Sequence, residues 1–249
     1  MLGLYIGIIL LLNIPYVQHR MSVLVAKELS TVLGSELTVG RINIGLLNRI
    51  IIDDLVLNDQ LGKELLKIGR LSAKFEILPL FSGKISIGNV QLFSFNANLE
   101  RPTPQASTNF QFVLDAFASK DTVKKKSNLD LRINSLLIRR GKVSYDVLSA
   151  ESTPGKFNPQ HIRLSNILAN VSLKALQNDS VNAAIKRMSV EEEHSGFELK
   201  KLSLKIIAND RKMRIENFAI DLPNTSLAMD TIRMEYDLSL IHISEPTRQ

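Results

Sequence analysis

The chain has 249 residues, 45% of them apolar, a formal net charge of +6, and neither cysteine nor tryptophan. That length can hold one large β domain or two smaller ones. Without cysteine there is no disulfide framework, thiolate nucleophile or thiolate metal site, and an aromatic content of 6% weighs against a carbohydrate cleft or a base-stacking surface.

Lys and Arg are spread along the chain and opposed by 25 acids, which argues against a nucleic-acid partner. Only Lys124-Lys125-Lys126 forms a run, read as a solvated linker ahead of a contact with lipid head groups.

Residues 2–17 are almost continuously apolar, with Asn13 and Pro15 near the far end, and no small-x-small cleavage site follows. Residues 1–18 are therefore expected to be an uncleaved transmembrane anchor. Sixteen residues reach about 24 Å as a helix, short of the ~30 Å hydrocarbon core, which places Met1 inside a longer anchor. His19, Arg20 and Lys27 follow the span and no Lys or Arg precedes it. Taken alone, the positive-inside rule leaves the body in the cytoplasm, and basic residues further upstream would reverse that.

Residues 19–36 read as an amphipathic helix, because Val25, Leu29, Val32 and Leu33 share helical spacing and Gly34 is placed to end it. It is expected at the membrane surface or as a plug at one end of a sheet. From Leu37 onward an eight-residue unit recurs: apolar, any, apolar, two non-apolar, apolar, any, apolar. Ten copies begin at Leu37, Ile50, Leu66, Ile85, Leu131, Ile162, Ala183, Phe197, Met213 and Leu227. Each half has the period of two of a strand, and the gap between halves is a phase slip that a β-bulge or a strand crossing over would explain.

Residues 37–100 form the first β segment, broken by a turn at Pro79 and Gly83, with Phe93, Phe95, Ala97 and Leu99 continuing the alternation. Residues 101–128 are a linker with a short helix. Phe110, Val113, Leu114 and Phe117 make an apolar stripe that packs on the sheet, capped by Asn109 or Thr108. Residues 129–237 form a second β segment with breaks near 152–159 and 177–180. Residues 238–249 break the repeat, resemble translated sequencing-adapter DNA and are expected to be a non-native tail.

The anchor running into Ile14-Pro15-Tyr16-Val17-Gln18, Val39-Gly40-Arg41-Ile42-Asn43-Ile44, Ile52-Asp53-Asp54-Leu55-Val56-Leu57-Asn58-Asp59 and Lys84-Ile85-Ser86-Ile87 together carry a family likeness. Asn109-Phe110-Gln111-Phe112 and Phe157-Asn158-Pro159-Gln160-His161-Ile162 add to it. The chain resembles the amino-terminal part of the translocation and assembly module TamB family, of Bacteroidetes type, within the AsmA-like superfamily. The resemblance implies a single-pass inner-membrane anchor and an elongated periplasmic β-sheet curved into an apolar groove. It also implies a role in outer-membrane biogenesis, by phospholipid movement or by outer-membrane protein insertion, with an outer-membrane assembly protein engaged through a carboxy-terminal region that this chain lacks.

No catalytic signature appears, and an enzyme is not expected. His19, His161, His194 and His242 include no pair with zinc spacing, so neither metal nor cofactor is expected. Glu191-Glu192-Glu193-His194 invites an acid–base reading, but a charged hairpin turn fits better. Asp53-Asp54 occupies the non-apolar middle of a unit, where the position demands polarity.

The positive expectation is a mainly β fold: an anchor helix, then an elongated groove-like sheet with one or two short amphipathic helices, binding phospholipid. The groove lining is expected to include Ile42, Ile44, Ile52, Leu55, Ile85, Ile87, Val90, Leu92, Leu131, Ile133, Leu202, Leu204 and Ile215. Two other readings stand beside it: a scaffold or chaperone for outer-membrane proteins working by strand addition, and a plain β-sandwich without ligand.

Overall fold

The structure, a computed structural model, describes residues 3, 7, 10–45, 48–75, 85–117, 129–130, 134–153, 155–177, 180–209 and 211–235. It is mainly β, with few short helices. Helix α1 spans Pro15–Leu33 and α2 spans Gln111–Phe117. The strands before the linker are β1 (Leu37–Gly45), β2 (Arg49–Asn58), β3 (Glu64–Phe75) and β4 (Ile85–Arg101). After it come β5 (Leu129–Asp130), β6 (Ser135–Val147), β7 (His161–Gln177), β8 (Ser180–Glu192), β9 (Phe197–Ala208), β10 (Lys212–Asp221) and β11 (Ser226–Glu235). Nine of the ten units lie each within a single strand; the unit from Leu131 starts outside the described residues and runs into β6.

All strands join one open sheet in the order β1-β2-β3-β4-β6-β7-β8-β9-β10-β11, with β5 beside the start of β4. Neighbours are antiparallel except β4 with β6 and β4 with β5. A parallel pair needs a long crossover, and residues 102–134, which carry α2, provide it. The β segments before and after the linker thus continue one sheet through the β4–β6 pairing.

The phase slip is resolved in the backbone. Asp54, Ser94, Arg140, Asn166 and Asn217 have φ of 54°, 53°, 55°, 50° and 54°. Asp54, Asn166 and Asn217 are the second of the two non-apolar residues between the halves of a unit, while Ser94 follows Phe93 and Arg140 follows Arg139. A left-handed residue inside a strand bends it and resets its side-chain alternation. Around Arg140, Asn166 and Asn217 the ladder shifts register, as in a bulge. In the first four strands pairing resumes unshifted past Asp54 and Ser94, and glycines face them: a Cβ on Gly40 would lie 3.0 Å from Asp54 Cβ, and one on Gly69 would lie 3.3 Å from Ser94 Cβ. Gly40, Asp54, Gly69, Ser94, Arg140 and Asn166 line up into a seam crossing β1 to β7, whereas Asn217 lies off that line, opposite the stretch of β9 between Ser203 and Lys205. The slip shows in β1 too. Leu37 and Ile44 both turn backbone groups toward α1, although residues seven apart in an uninterrupted strand point to opposite edges.

Helix α1 starts at Pro15 rather than at residue 19, inside the stretch assigned to the anchor, because proline at the first helical position needs no amide partner. It ends at Gly34, whose φ of 64° allows its amide to reach Ser30 O. No described helix is long and apolar enough to cross a membrane, and most of residues 1–9 lie outside the described set. The helix, with Asn13 just before it, covers the free edge of β1 with side-chain hydrogen bonds. Asn13 Nδ2 donates to Ile44 O at 2.8 Å, Gln18 Nε2 to Asn43 Oδ1 at 2.5 Å, and Leu37 N to Ser30 Oγ at 2.9 Å. Of the predicted stripe, Val25, Leu29 and Leu33 turn inward, while Val32 is 57% exposed.

Both helices close one end of the sheet. Leu33, Leu37, Leu57 and the fully buried Leu65 form a core against which Leu29, Leu66, Leu99, Phe110, Phe112 and Val113 pack. Leu114, expected in the stripe of α2, is exposed; Phe112 and Ala116 take its place. Phe117, Lys124-Lys125-Lys126 and residues 238–249 fall where side chains or backbone lie outside the described residues.

Candidate functional site

The register assembles what the repeat distributes. One row of side chains in direct register runs Ile42, Ile52, Leu71, Leu92, Ile138, Ala169, Met188, Leu202, Ile220, Leu227. Every position is apolar and the row crosses the whole ten-strand path, roughly 43 Å at ~4.8 Å per strand. A second row, Ile44, Ile50, Ala73, Val90, Leu136, Val171, Ile185, Leu204, lies beside it. Across the seam Val39, Leu55, Ile68 and Phe95 form a third.

Of the predicted lining, Ile42, Ile52, Leu92 and Leu202 belong to the first row, Ile44, Val90 and Leu204 to the second, and Leu55 to the third. Ile215 is in register with Ile206 and Ile232 further along. Ile85 and Ile87 are in β4, Ile87 opposite Phe75, while Leu131 and Ile133 lie outside the described residues.

Cover over these rows is uneven. Near the helices Ile42, Leu55, Leu57 and Ile68 are buried. From β4 to β10 most row residues are only half-buried. On β11, Leu227 and Met229 are 46% and 43% exposed. In a sandwich the opposing face would bury them all. At the far end Val181, Ala208, Met213 and Met234, again in register, line a cavity of about 480 Å³ edged by Lys212, Arg214, Arg233 and Glu235.

The acidic motifs are spent on structure. Asp53, buried, accepts from Arg70 Nε at 2.6 Å and from Asn43 Nδ2 at 3.5 Å, continuing a polar chain to Gln18. The Glu191 to His194 stretch ends β8 and opens the turn to β9. Within it the buried Glu192 accepts from Ser195 Oγ at 2.5 Å, Ser195 N at 2.7 Å, Arg163 N at 3.2 Å and His194 N at 3.3 Å. Burial penalises its charge, but the Ser195 hydroxyl and then the three amides outweigh that and bring its pKa down to about 2. Among the described residues no three His, Asp or Glu side chains are grouped to hold a metal.

One cluster was invisible in the sequence. His161 Nδ1 is 2.9 Å from Asp146 Oδ1 and its Nε2 is 3.0 Å from Ala150 O, while Arg163 Nη2 is 2.8 Å from Asp146 Oδ2. Both ring nitrogens face acceptors, so the imidazolium satisfies both. The Asp146 bond and then the Ala150 bond raise the pKa of His161. Burial works against the Asp146 charge, but Arg163 and His161 hold its carboxyl below the usual range. Only the β6–β7 register brings these three together, which no sequence spacing announces.

No protein-family model matches this chain, and no curated protein matches it.

Proposed function

We propose that this is an inner-membrane-anchored periplasmic protein of outer-membrane biogenesis, whose apolar sheet face forms a groove that carries phospholipid, as its likeness to the TamB family implies. The observation that carries the reading is the unbroken apolar row from Ile42 to Leu227, covered among the described residues by helices at one end only. A lipid tail gains about 0.8 kcal/mol per buried methylene, so a sixteen-carbon chain gains roughly 12 kcal/mol gross. Since successive positions in the row are chemically alike, a tail can move along it without crossing a polar step.

Photo-crosslinkers placed at Leu92 and Leu202 in cells test this. Phospholipid captured at both sites is expected; capture of protein alone, or of nothing, overturns it.

A second reading rests on β11, which pairs only with β10 and leaves its other edge without a strand among the described residues. Such an edge can take up a client strand, the behaviour of a scaffold for outer-membrane proteins. Crosslinkers at Thr231 would then trap nascent outer-membrane β-proteins in place of lipid.

A further inference from the structure

Register gathers cations as it gathers apolar residues. Arg139-Arg140 on β6, Lys186-Arg187 on β8 and Lys200-Lys201 on β9 fill the non-apolar gap of their strands, and all six side chains are exposed. They flank one common row, since Ile138, Ala169, Met188 and Leu202 are in register: Arg139-Arg140 and Lys200-Lys201 stand beside it on one side along the strands, Lys186-Arg187 on the other. Three interstrand steps separate the first pair from the last, about 14 Å. Arg139 is in register with Phe93 and lies over its ring at 5.9 Å, on the face away from Leu92 and Ile138.

What sets these six apart is their grouping as adjacent pairs on β6, β8 and β9. Arg41, Lys67, Lys74 and Arg233 are likewise exposed and without an ion pair among the described residues but stand singly, while others are paired. Lys63, Arg70, Arg163, Lys205, Lys212 and Arg214 each have a carboxylate partner. None of the six has an ion pair among the described residues. The nearest carboxylates in register are Glu191 and Glu198, which share a shallow depression with Arg187 and Lys200, and Asp221 opposite Lys201. Glu191 is itself engaged by Asn166 Nδ2 at 2.8 Å. A net positive ridge is left on the side of the sheet away from the apolar rows.

We infer that this ridge on β6, β8 and β9 docks the protein against the acidic head groups of a phospholipid bilayer. Unpaired cations on a broad surface with only a shallow depression match a fluid array of phosphates better than a single bound anion. Nucleic acid fits less well: the one aromatic ring among the six, Phe93, is half-buried beneath Arg139, so no base can stack there. The ridge is independent of the groove, being made of different residues on the opposite face.

The test uses the purified full chain and vesicles of phosphatidylcholine alone or with phosphatidylglycerol. The apolar amino-terminal segment can enter either bilayer, so the readout is the ratio of binding to the two. Each cation near an acidic surface is worth about fivefold, so K186Q/R187Q/K200Q/K201Q should reduce the ratio at least about tenfold. High salt should do the same to the unaltered chain. A control that removes four other exposed cations, R41Q/K67Q/K74Q/K156Q, should retain most of the ratio. A ratio near one for the unaltered chain overturns the inference. So does an equal loss in the control, which would reduce the effect to net charge, or a ridge that binds single-stranded nucleic acid and leaves the vesicles unbound. Lipid capture at Leu92 is unaffected by any of these outcomes, so the two readings fail separately.

Discussion

The edge of the Phe95 ring occupies the place where a Cβ on Gly141 would stand. Phe95 belongs to β4 and Gly141 to β6, the parallel pair that joins the two halves of the sheet, so this glycine admits the ring at the seam. Gly141→Ala is expected to lower unfolding stability by about 1–3 kcal/mol, the usual result of overpacking. Phe95→Leu made in the same chain should recover part of that loss, read by urea denaturation as a double-mutant cycle. Strictly additive losses would mean that the ring is not the obstacle.

Left-handed backbone at a side chain other than glycine or asparagine is strained by about 1–2 kcal/mol. Arg140 carries that strain at φ 55° with an exposed side chain. Arg140→Gly should therefore raise the thermal midpoint or leave it unchanged, whereas Asn166→Val, which puts a β-branched residue at φ 50°, should lower stability by at least about 1 kcal/mol. Reversal of that order would remove the seam as the reason for these conformations.

His161 fastens the loop after β6 to the start of β7, and its sign with pH follows from its raised pKa. Its contribution is complete below the unfolded value near 6.5 and is lost as pH rises through the folded value. Asp146 favours the imidazolium and Arg163 opposes it, the carboxylate being the stronger influence. Amide exchange at Leu148 to Ala150 should quicken as pH rises through the His161 titration, beyond the intrinsic rate, and His161→Gln should abolish that dependence. A titration of the ring at or below 6.5, followed by nuclear magnetic resonance, would contradict this.

Glu192 behaves in the opposite sense. Its pKa is lowered to about 2, so its contribution is complete above the unfolded value near 4.5 and disappears as pH falls toward 2. Glu192→Gln removes the charge from a carboxylate that accepts from three amides and a hydroxyl, and should destabilise the chain by about 1–3 kcal/mol at neutral pH. At pH 3 the difference from the unaltered chain should shrink. An equal difference at both pH values would mean that packing, not charge, is what Glu192 supplies.

Much of the architecture was legible because the eight-residue unit encodes it locally. Ile50 to Leu57 forms one strand because its two halves alternate, and the slip at Asp53-Asp54 marks where its backbone turns left-handed. The sequence left a bulge and a crossing strand as alternatives, since side-chain polarity reports a change of phase without its backbone geometry. Val32 and Leu114 were misplaced for a related reason: helical spacing defines a stripe about one-third of the circumference wide, and only the neighbouring sheet decides which edge of it is covered.

By itself, then, the order of residues determined strands, their midpoint slips and an apolar set on each, because alternation acts between near neighbours in the chain. Which of those sets align was decided by register. Ile42 and Leu227 are 185 positions apart by residue number yet stand in one row, through nine successive strand pairings. The same pairings gathered Arg139, Arg187 and Lys201 onto a ridge from a charge distribution that looked scattered, and put His161 between Asp146 and Ala150. Long-range backbone pairing fixes such neighbours, and a one-residue shift in any of the pairings would dissolve them.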